Sequence, residues 1–332
     1  MSDGAEERRQ PSTDAYAVAA RNTTIDARTE QRSPEAGQTQ VGQPTTAPEQ
    51  LELLQVPRPL FSATPSRLTN FDCPRRYWFT YLSRPPVPKG PPWAHNTVGA
   101  AVHVALARWW QLPVAHRTPA AGAALVHRHW QTDGFADANQ SEAWRQQAAE
   151  WVRQYLSDER HRTDPELQPR GVERTVAMRT HRLAISGRVD RIDEREGELV
   201  IVDYKTGRSR LDSDDARGSL ALALYALAAE RTLHQRCRRV ELHHLPTGNV
   251  AAFEHTDDSL QRHLGRAEDT AADIVSATDT VEGGADPAAV FAPDPGPGCS
   301  WCDFRRACAA GQAVSRPRSS WDGLGTLDSA SP

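Results

Sequence analysis

The chain has 332 residues, and its apolar share of 38% is low for a protein that is globular throughout. Residues 1–56 hold nine acidic residues and five arginines, so this segment carries the whole formal charge of −4. The rest of the chain is neutral, with 34 basic and 34 acidic residues, which excludes a histone-like mode of nucleic-acid binding but not a local basic groove. We predict that residues 1–56 form a disordered acidic tail, because such a composition cannot offset the entropy of ordering.

Hydrophobic periodicity divides the remaining chain into a helical part and a part that mixes strands with helices. Helices are predicted at 64–82, 94–111, 119–131 and 140–157. Further along come predicted strands at 172–180, 183–193 and 198–207, a very apolar helix at 219–232, strands at 238–245 and 249–256, and a last helix at 257–277. The second and third strands form a hairpin candidate. This order predicts a mixed α/β domain over residues 57–312 and a second disordered tail over 313–332.

The length of the apolar runs and the spacing of the cysteines narrow the class of protein further. No apolar run reaches the ~18 residues that span a bilayer, and the N-terminus lacks a basic-then-apolar signal pattern. The sequence therefore predicts a soluble, cytoplasmic protein without membrane contact. Five cysteines are an odd number, and three of them fall within ten residues. In a cytoplasmic chain this crowding favours a metal or cluster site over disulfides.

One strand ends in an unusual pair of charges. In a strand, alternate side chains share a face, so Asp203 and Lys205 point the same way beyond a buried-looking apolar run. Lys205 also stands out because Lys89 is the only other lysine among 39 basic residues. If the hairpin pairs as predicted, Asp190 joins Asp203 at one end of the sheet, where a divalent cation would relieve their repulsion. The alternative is an exposed salt bridge with Asp190 merely solvated.

The motifs around Asp190 and Asp203 together resemble those of a known protein family. Gly187–Asp190 (G-x-x-D) and Asp203–Gly207 (D-Y-K-T-G), whose aspartates are thirteen residues apart, resemble the signature of the PD-(D/E)XK nuclease superfamily, and of its RecB-like branch in particular. That branch also has a histidine on an upstream helix, which Gly99–His103 matches. Its helix after the D-x-K strand carries a Q-x-x-x-Y pattern, for which Tyr225 matches while Ala221 replaces the glutamine.

The resemblance implies a restriction-endonuclease-like fold, with a mixed central sheet flanked by helices, and metal-dependent hydrolysis of phosphodiester bonds. It implies four ligands for Mg²⁺ or Mn²⁺, namely His103, Asp190, Asp203 and the backbone carbonyl of Tyr204. In the same scheme Lys205 acts on the attacking water. Glu173 is a weaker candidate for the outer shell of the metal, and Tyr225 is a secondary contact.

The cysteines form a second constellation. Cys299-x2-Cys302-x5-Cys308 is spaced so that a turn can wrap one ion or cluster, and either zinc or a four-iron cluster needs a fourth ligand. Cys73 is the natural candidate, while Cys237 has the alternative interpretation of a small buried apolar residue. This spacing alone does not separate zinc from iron–sulfur. In RecB-like nucleases of the AddB type and of CRISPR adaptation, which have a similar arrangement, four cysteines hold a [4Fe–4S] cluster. The resemblance implies the same for Cys73, Cys299, Cys302 and Cys308.

Nucleic-acid contacts are suggested by paired arginines beside both constellations, namely Arg75 and Arg76, Arg208 and Arg210, and Arg305 and Arg306. The leading hypothesis is a metal-dependent DNA nuclease, an exonuclease on single strands or DNA ends, in repair or recombination. CRISPR spacer processing is the alternative enzymatic role, and a catalytically inactive, cluster-bearing DNA-binding module is the alternative of another class. No G-x-x-x-x-G-K-[ST] motif occurs, so any coupled helicase must be a separate protein.

Overall fold

The computed structural model describes residues 60–157, 168–325 and 327. These lie in the second of two units into which the chain divides, Met1–Pro57 and Arg58–Pro332. The predicted acidic tail at residues 1–56 falls outside the described residues, and its disorder stays a prediction. Within the described ranges, none of the helices combines the length and the apolar character needed to cross a bilayer.

A mixed six-stranded sheet lies at the centre of the described residues, in the order β1-β3-β4-β5-β6 with β2 also paired to β3. The strands are β1 (Phe61–Ala63), β2 (Gly171–Arg179), β3 (Leu183–Arg195), β4 (Glu198–Lys205), β5 (Cys237–His244) and β6 (Asn249–Glu254). β3 and β4 form the predicted antiparallel hairpin, and β4 then pairs in parallel with β5. The predicted mixed α/β fold is confirmed.

The longest strand, β3, leaves an opening in the sheet. One edge of β3 pairs with β2 over Ala184–Ile192. On the other edge β1 pairs with Leu183–Ile185 and β4 pairs with Arg191–Arg195. Residues 186–190 therefore have no strand partner on that edge within the described part of the chain. Asp190 lies at the end of this opening, next to the point where β4 separates from β3.

Helices cover both faces of the sheet. They are α1 (Pro65–Thr69), α2 (Pro74–Tyr77), α3 (Ala94–Trp110), α4 (Pro119–Arg128), α5 (Ala138–Ser157), α6 (Ser213–Gly218), α7 (Leu220–Leu233), α8 (Asp257–Glu282), α9 (Pro287–Val290) and α10 (Ala309–Val314). Val200, Val202 and Tyr204 pack in one core with side chains from α3 and α5, whereas Leu199 and Ile201 pack in another with α7. Burial on both faces explains why β4 is almost continuously apolar.

The first predicted helix, at 64–82, is interrupted in the structure. Thr64 caps the N-terminus of α1 as expected, because its side chain accepts a hydrogen bond from the amide of Arg67. The helix is then broken at Cys73, whose backbone is extended with φ −124° and ψ 103°. Pro74 explains the break, since a residue before proline is disfavoured from helical geometry. The prediction of one continuous helix was wrong, and the break leaves Cys73 facing the C-terminal cysteines.

The C-terminal segment departs from the predicted disordered tail at 313–332. Helix α10 runs to Val314, and the following chain packs on the domain as far as residue 325. The amide of Ala94 donates to the carbonyl of Ser320 over 3.0 Å, and the hydroxyl of Ser320 donates to the carbonyl of Gly134 over 2.7 Å. Leu324 is only 4% exposed within the core against α3 and α5. The side chain of Leu324 thus anchors a segment whose composition is typical of a disordered tail.

Side chains of β3 and β5 form a buried ionic network on either side of β4. Arg191 is 1% exposed, and its Nε is 2.9 Å from Oδ1 of Asp193. Its Nη1 donates to the hydroxyl of Tyr204 over 3.1 Å. Arg195 bridges Asp193 and Glu241, each over 2.8 Å. Buried charges persist when they are paired in this way, and the network fixes the side chain of Tyr204 next to the opening in β3.

Candidate active site

A groove of about 900 Å³ lies over the opening in β3. Its walls come from the N-terminal part of the domain, from β2 and β3, from the end of β4 and from α7. The chemically active side chains that line it are His103, Glu173, Asp190, Lys205 and Tyr225. The fold therefore gathers residues from five separate elements into one concave surface.

Three side chains in this groove form a compact set of ligands. One ligand atom each from His103, Glu173 and Asp190 lies within 4.8 Å of the others. Nδ1 of His103 is 3.2 Å from Oδ1 of Asp190. The other oxygen of Asp190, Oδ2, accepts a hydrogen bond from the backbone amide of Tyr204 over 2.9 Å. Two carboxylates and an imidazole in one groove suit a divalent cation such as Mn²⁺ or Mg²⁺.

His103 owes its position to a close approach between α3 and the end of β4. Gly99 lies one turn earlier on the same helix, and a Cβ added there would be 3.2 Å from Oγ1 of Thr206. A side chain at Gly99 would crowd Thr206, so glycine suits the close approach that brings His103 within reach of Asp190. Burial disfavours the charged imidazolium, but the hydrogen bond and the negative charge of Asp190 outweigh it and raise the pKa of His103.

Glu173 reaches the groove through an unusual backbone conformation. Its φ of 48° is left-handed, which is uncommon for a residue other than glycine and costs free energy. In the pairing of β2 with β3, Val172 pairs with Arg191 and Arg174 pairs with Val189. Glu173, between them, is therefore opposite Asp190. Burial and the charge of Asp190 raise the pKa of the Glu173 carboxyl. The sequence suggested only an outer-shell position for Glu173, whereas the structure places it beside His103 and Asp190.

Asp203 and Lys205 lie together, as the strand alternation predicts. Nζ of Lys205 is 2.5 Å from Oδ2 of Asp203, and the lysine side chain is 46% exposed. Burial raises the pKa of Asp203, Lys205 opposes this shift, and the charge of Asp190 adds to it. Among the described residues Asp203 does not belong to the set of three ligands within 4.8 Å. Its role as a ligand, like that of the Tyr204 carbonyl, stays a prediction.

Tyr225 on α7 packs directly on the strand that carries Asp190. A Cβ added to Gly187 would lie 2.4 Å from Cε1 of the Tyr225 ring, so only glycine permits this contact. Burial raises the pKa of Tyr225, and the negative charges of Asp203 and Asp190 act in the same direction. The first residue of the G-x-x-D motif thus admits an aromatic ring beside the ligands.

We expect Gly187→Ala to destabilise the domain by about 1–3 kcal/mol, the usual cost of overpacking. The measurement is the free energy of unfolding in denaturant. Gly265→Ala is the control, since a Cβ there contacts nothing within 4 Å, and it should leave stability unchanged or improve it. The double variant Gly187→Ala/Tyr225→Ala should be more stable than the sum of the two single effects predicts. Strictly additive effects would show that the ring is not the obstacle.

The cysteines form a separate cluster. Cys73, Cys299, Cys302 and Cys308 line one small cavity of about 20 Å³. Backbone amides point at two of the thiols, from Gly296 to Cys299 Sγ and from Gly311 to Cys308 Sγ, each over 3.4 Å. Cys237 lies elsewhere, fully buried in the core against α7, and burial raises the pKa of its thiol to about 12. The structure therefore brings together the four cysteines that the sequence selected and leaves out the fifth.

The family model of the PD-(D/E)XK nuclease superfamily matches residues 62–309 of this chain. That range contains every residue of both constellations. A solved protein from Eubacterium rectale, provisionally described as an exonuclease, shares 12% identity over 54% of this chain and 82% of its own, with a TM-score of 0.31. A likeness this weak carries no argument. No curated protein matches the sequence.

The family match rests on the same elements that build the groove. It begins within β1, runs through α3, β2, β3, β4 and α7, and ends just after Cys308. Asp190, Asp203 and Lys205, which resemble its signature, lie at the opening in the sheet. With the mixed sheet, the ligand set and the matched range in agreement, this chain belongs to the PD-(D/E)XK nuclease superfamily.

Proposed function

We propose that the protein is a metal-dependent deoxyribonuclease, an exonuclease that acts on single strands or on DNA ends. The observation that carries this proposal is the meeting of three metal-binding side chains with Lys205 in one groove. The groove is open to solvent, as a polymeric substrate requires, and its charged groups come from elements that the sheet holds in place. A phosphodiester group fits this combination because it needs both a cation and a positioned water.

The ligand set fits a divalent cation on its own chemistry. Glu173 and Asp190 place two carboxylates within 4.8 Å, where like charges repel by about 3–4 kcal/mol at an effective dielectric constant of about 20. A cation relieves that repulsion, which adds to burial in raising the pKa of Glu173 in the protein alone. When bound, Mg²⁺ or Mn²⁺ would lower the pKa of a water molecule and neutralise phosphate charge. The remaining ligands in the proposal are Asp203 and the Tyr204 carbonyl.

The proposal gives Lys205 the role of acting on the attacking water. Asp203 holds its ammonium at the edge of the groove, while the rest of the side chain stays partly exposed. An ammonium so placed can donate hydrogen bonds to the attacking water and stabilise charge that develops on the phosphate. Because Asp203 is held in turn by β4 and its neighbours, the orientation of Lys205 does not depend on bound substrate.

For the four cysteines we propose a [4Fe–4S] cluster. The four thiols line one small cavity, and backbone amides point at Cys299 and Cys308, which suits thiolate ligands of a metal or cluster. The choice of iron–sulfur over zinc rests on the family resemblance of Cys73 with Cys299-x2-Cys302-x5-Cys308.

Labelled single- and double-stranded DNA, incubated with protein purified without oxygen, tests the proposed activity. We expect cleavage with Mg²⁺ or Mn²⁺, none with EDTA, and a loss of about 100-fold or more in Glu173→Gln, which removes one ligand charge. Glu254→Gln, at an exposed carboxylate on β6, is the matched control and should cleave normally. Undiminished cleavage in EDTA would contradict the proposal.

The biological setting follows from the sequence-based predictions. We propose a role in DNA repair or recombination, in the cytoplasm and beside a separate helicase. CRISPR spacer processing is the alternative for the same chemistry, and the genes next to this one distinguish the two. A catalytically inactive DNA-binding module would require that the protein bind DNA without metal-dependent cleavage, which the assay above detects.

A further inference from the structure

A second cavity adjoins the groove that holds the candidate metal site. It measures about 770 Å³, within the range of about 300–1,000 Å³ that is typical of ligand pockets. The two cavities share His95 and Asn96 at the start of α3, and Thr206 and Gly207 just after β4. The two cavities are therefore direct neighbours, and a strand of nucleic acid that lies at Lys205 can extend toward the second one.

Four indole rings contribute to its lining, and we call it the tryptophan pocket: Trp93, Trp144, Trp151 and Trp301. The rings of Trp93 and Trp301 are 5.2 Å apart, and the ring of His95 lies within 6.0 Å of both. Nε1 of Trp93 donates to Asp303 over 2.9 Å, which fixes the orientation of that ring. Trp301 remains 36% exposed. Burial lowers the pKa of His95, which favours its neutral form.

Positive charge borders this aromatic surface. Arg208 lies three residues after Lys205, and the guanidinium of Arg318 lies 4.3 Å from the centre of the Trp301 ring. Neither arginine forms an ion pair with a carboxylate anywhere in the described part of the chain, and both side chains are exposed. Three residues span at most about 11 Å of chain, so Arg208 and Lys205 can contact neighbouring phosphates of one strand.

The C-terminal segment completes the pocket from the other side. A Cβ added to Gly323 would be 2.2 Å from Nδ1 of His95, and one added to Gly325 would be 3.2 Å from Nε of Arg208. Between them, Leu324 anchors the segment in the core. The segment therefore packs directly against one aromatic ring and one arginine of the pocket, which argues for a preformed site.

We propose that the tryptophan pocket binds unpaired bases of the DNA strand whose phosphate lies at the metal site. The identity of the ligand as DNA rests on the proposed function. Aromatic rings, guanidinium groups without a carboxylate partner among the described residues, and a position next to the groove are what a single strand needs, since every base offers a face for stacking and every nucleotide a phosphate. Paired bases cannot enter such a pocket, so the site selects single strands or frayed ends.

Fluorescence anisotropy with the full-length protein, purified without oxygen and kept in EDTA to prevent cleavage, tests the pocket. The probes are a labelled 20-nucleotide oligothymidylate, a length of about one to five single-strand site sizes, and the same strand with abasic sites in place of bases. Trp301→Ala should weaken binding of the base-bearing strand by about 5- to 100-fold and leave the abasic strand within about twofold. Trp301→Phe should retain most of the affinity because it can still stack.

Two controls separate stacking from other effects. Trp321→Ala removes an indole of similar exposure, 38%, that does not line the pocket, and should bind both strands normally. Arg208→Ala should weaken both strands to a similar extent, because it contacts phosphate rather than base. Equal weakening of both strands by Trp301→Ala, or no weakening at all, would overturn the proposal.

The same proteins in the Mg²⁺ cleavage assay keep the two proposals apart. Metal-dependent cleavage by the wild type, together with unchanged binding by Trp301→Ala, overturns the pocket and leaves the nuclease standing. Base-dependent binding through Trp301 without any cleavage supports the pocket and contradicts the nuclease. A wild-type protein that neither binds nor cleaves overturns both.

Discussion

Alanine in place of Lys205 should reduce DNA cleavage by about 10²- to 10³-fold, the loss expected when one preorganised charge is removed from a transition state. The fold should survive, because the side chain is half exposed and its ion pair with Asp203 lies at the edge of the groove. Asp203 is the more buried partner, with a side chain 18% exposed, but burial already favours its neutral form, so loss of the lysine leaves a carboxyl that can take up a proton instead of a trapped charge. The lysine therefore matters to the reaction far more than to folding.

Cleavage rates and thermal unfolding of the same variants check this expectation. Lys89 is the only other lysine of the chain, so Lys89→Ala is a matched control, and it should cleave within about twofold of wild type, as expected of a surface substitution. Lys205→Arg keeps the charge but replaces a compact ammonium with a planar fork, so it should restore little activity. Full cleavage by Lys205→Ala would falsify the proposal that this residue acts on the attacking water.

Serine in place of Cys73, Cys299, Cys302 or Cys308 should give colourless protein that is far less stable. Cys73 and Cys299 are 226 residues apart, and a cluster that joins them closes most of the domain into a loop. By the chain-entropy relation for crosslinks, such a closure contributes up to roughly 5 kcal/mol. That amount equals the whole stability of many domains. Activity should fall because the fold loosens, not because the chemistry at Lys205 changes.

Iron content, visible absorbance and protease resistance of anaerobically purified variants measure this effect. Cys237→Ala is the control, because that thiol is buried away from the cavity and alanine avoids burying a hydroxyl. It should stay brown and active. Stoichiometric zinc without iron would overturn the cluster. Loss of colour in Cys237→Ala with retention in Cys73→Ser would instead show that the fourth ligand was assigned to the wrong cysteine.

Periodicity alone predicts one part of the groove, the end of β3 and β4, whereas His103 and Tyr225 were identified only through the family resemblance. Alternation along β4 placed Asp203 with Lys205, and the predicted hairpin brought β3 against β4, so Asp190 fell beside them. Glu173 could not be placed in the same way. Its left-handed backbone departs from the regular strand on which alternation depends, and the conformation is stabilised by neighbours that the local sequence does not reveal.

Two departures from prediction have different causes. The break at Cys73 was visible in the sequence, because the following proline disfavours helix, but the capping signal at Thr64 suggested a longer run. The order of residues 313–325 was not visible. It depends on contacts of Ser320 with Ala94 and Gly134, more than 180 residues away, and composition carries no information about such distant partners.

The separation of Cys73 from its partners also sets an order of events during synthesis. At about 5–20 residues per second, a ribosome needs roughly 10–45 s to travel from Cys73 to Cys299. During that interval the nascent domain carries a thiol whose three companions do not yet exist. The four-cysteine cavity can therefore close, and accept any metal it holds, only after the segment through Cys308 has been made, so filling of this site follows synthesis of the elements that build the groove.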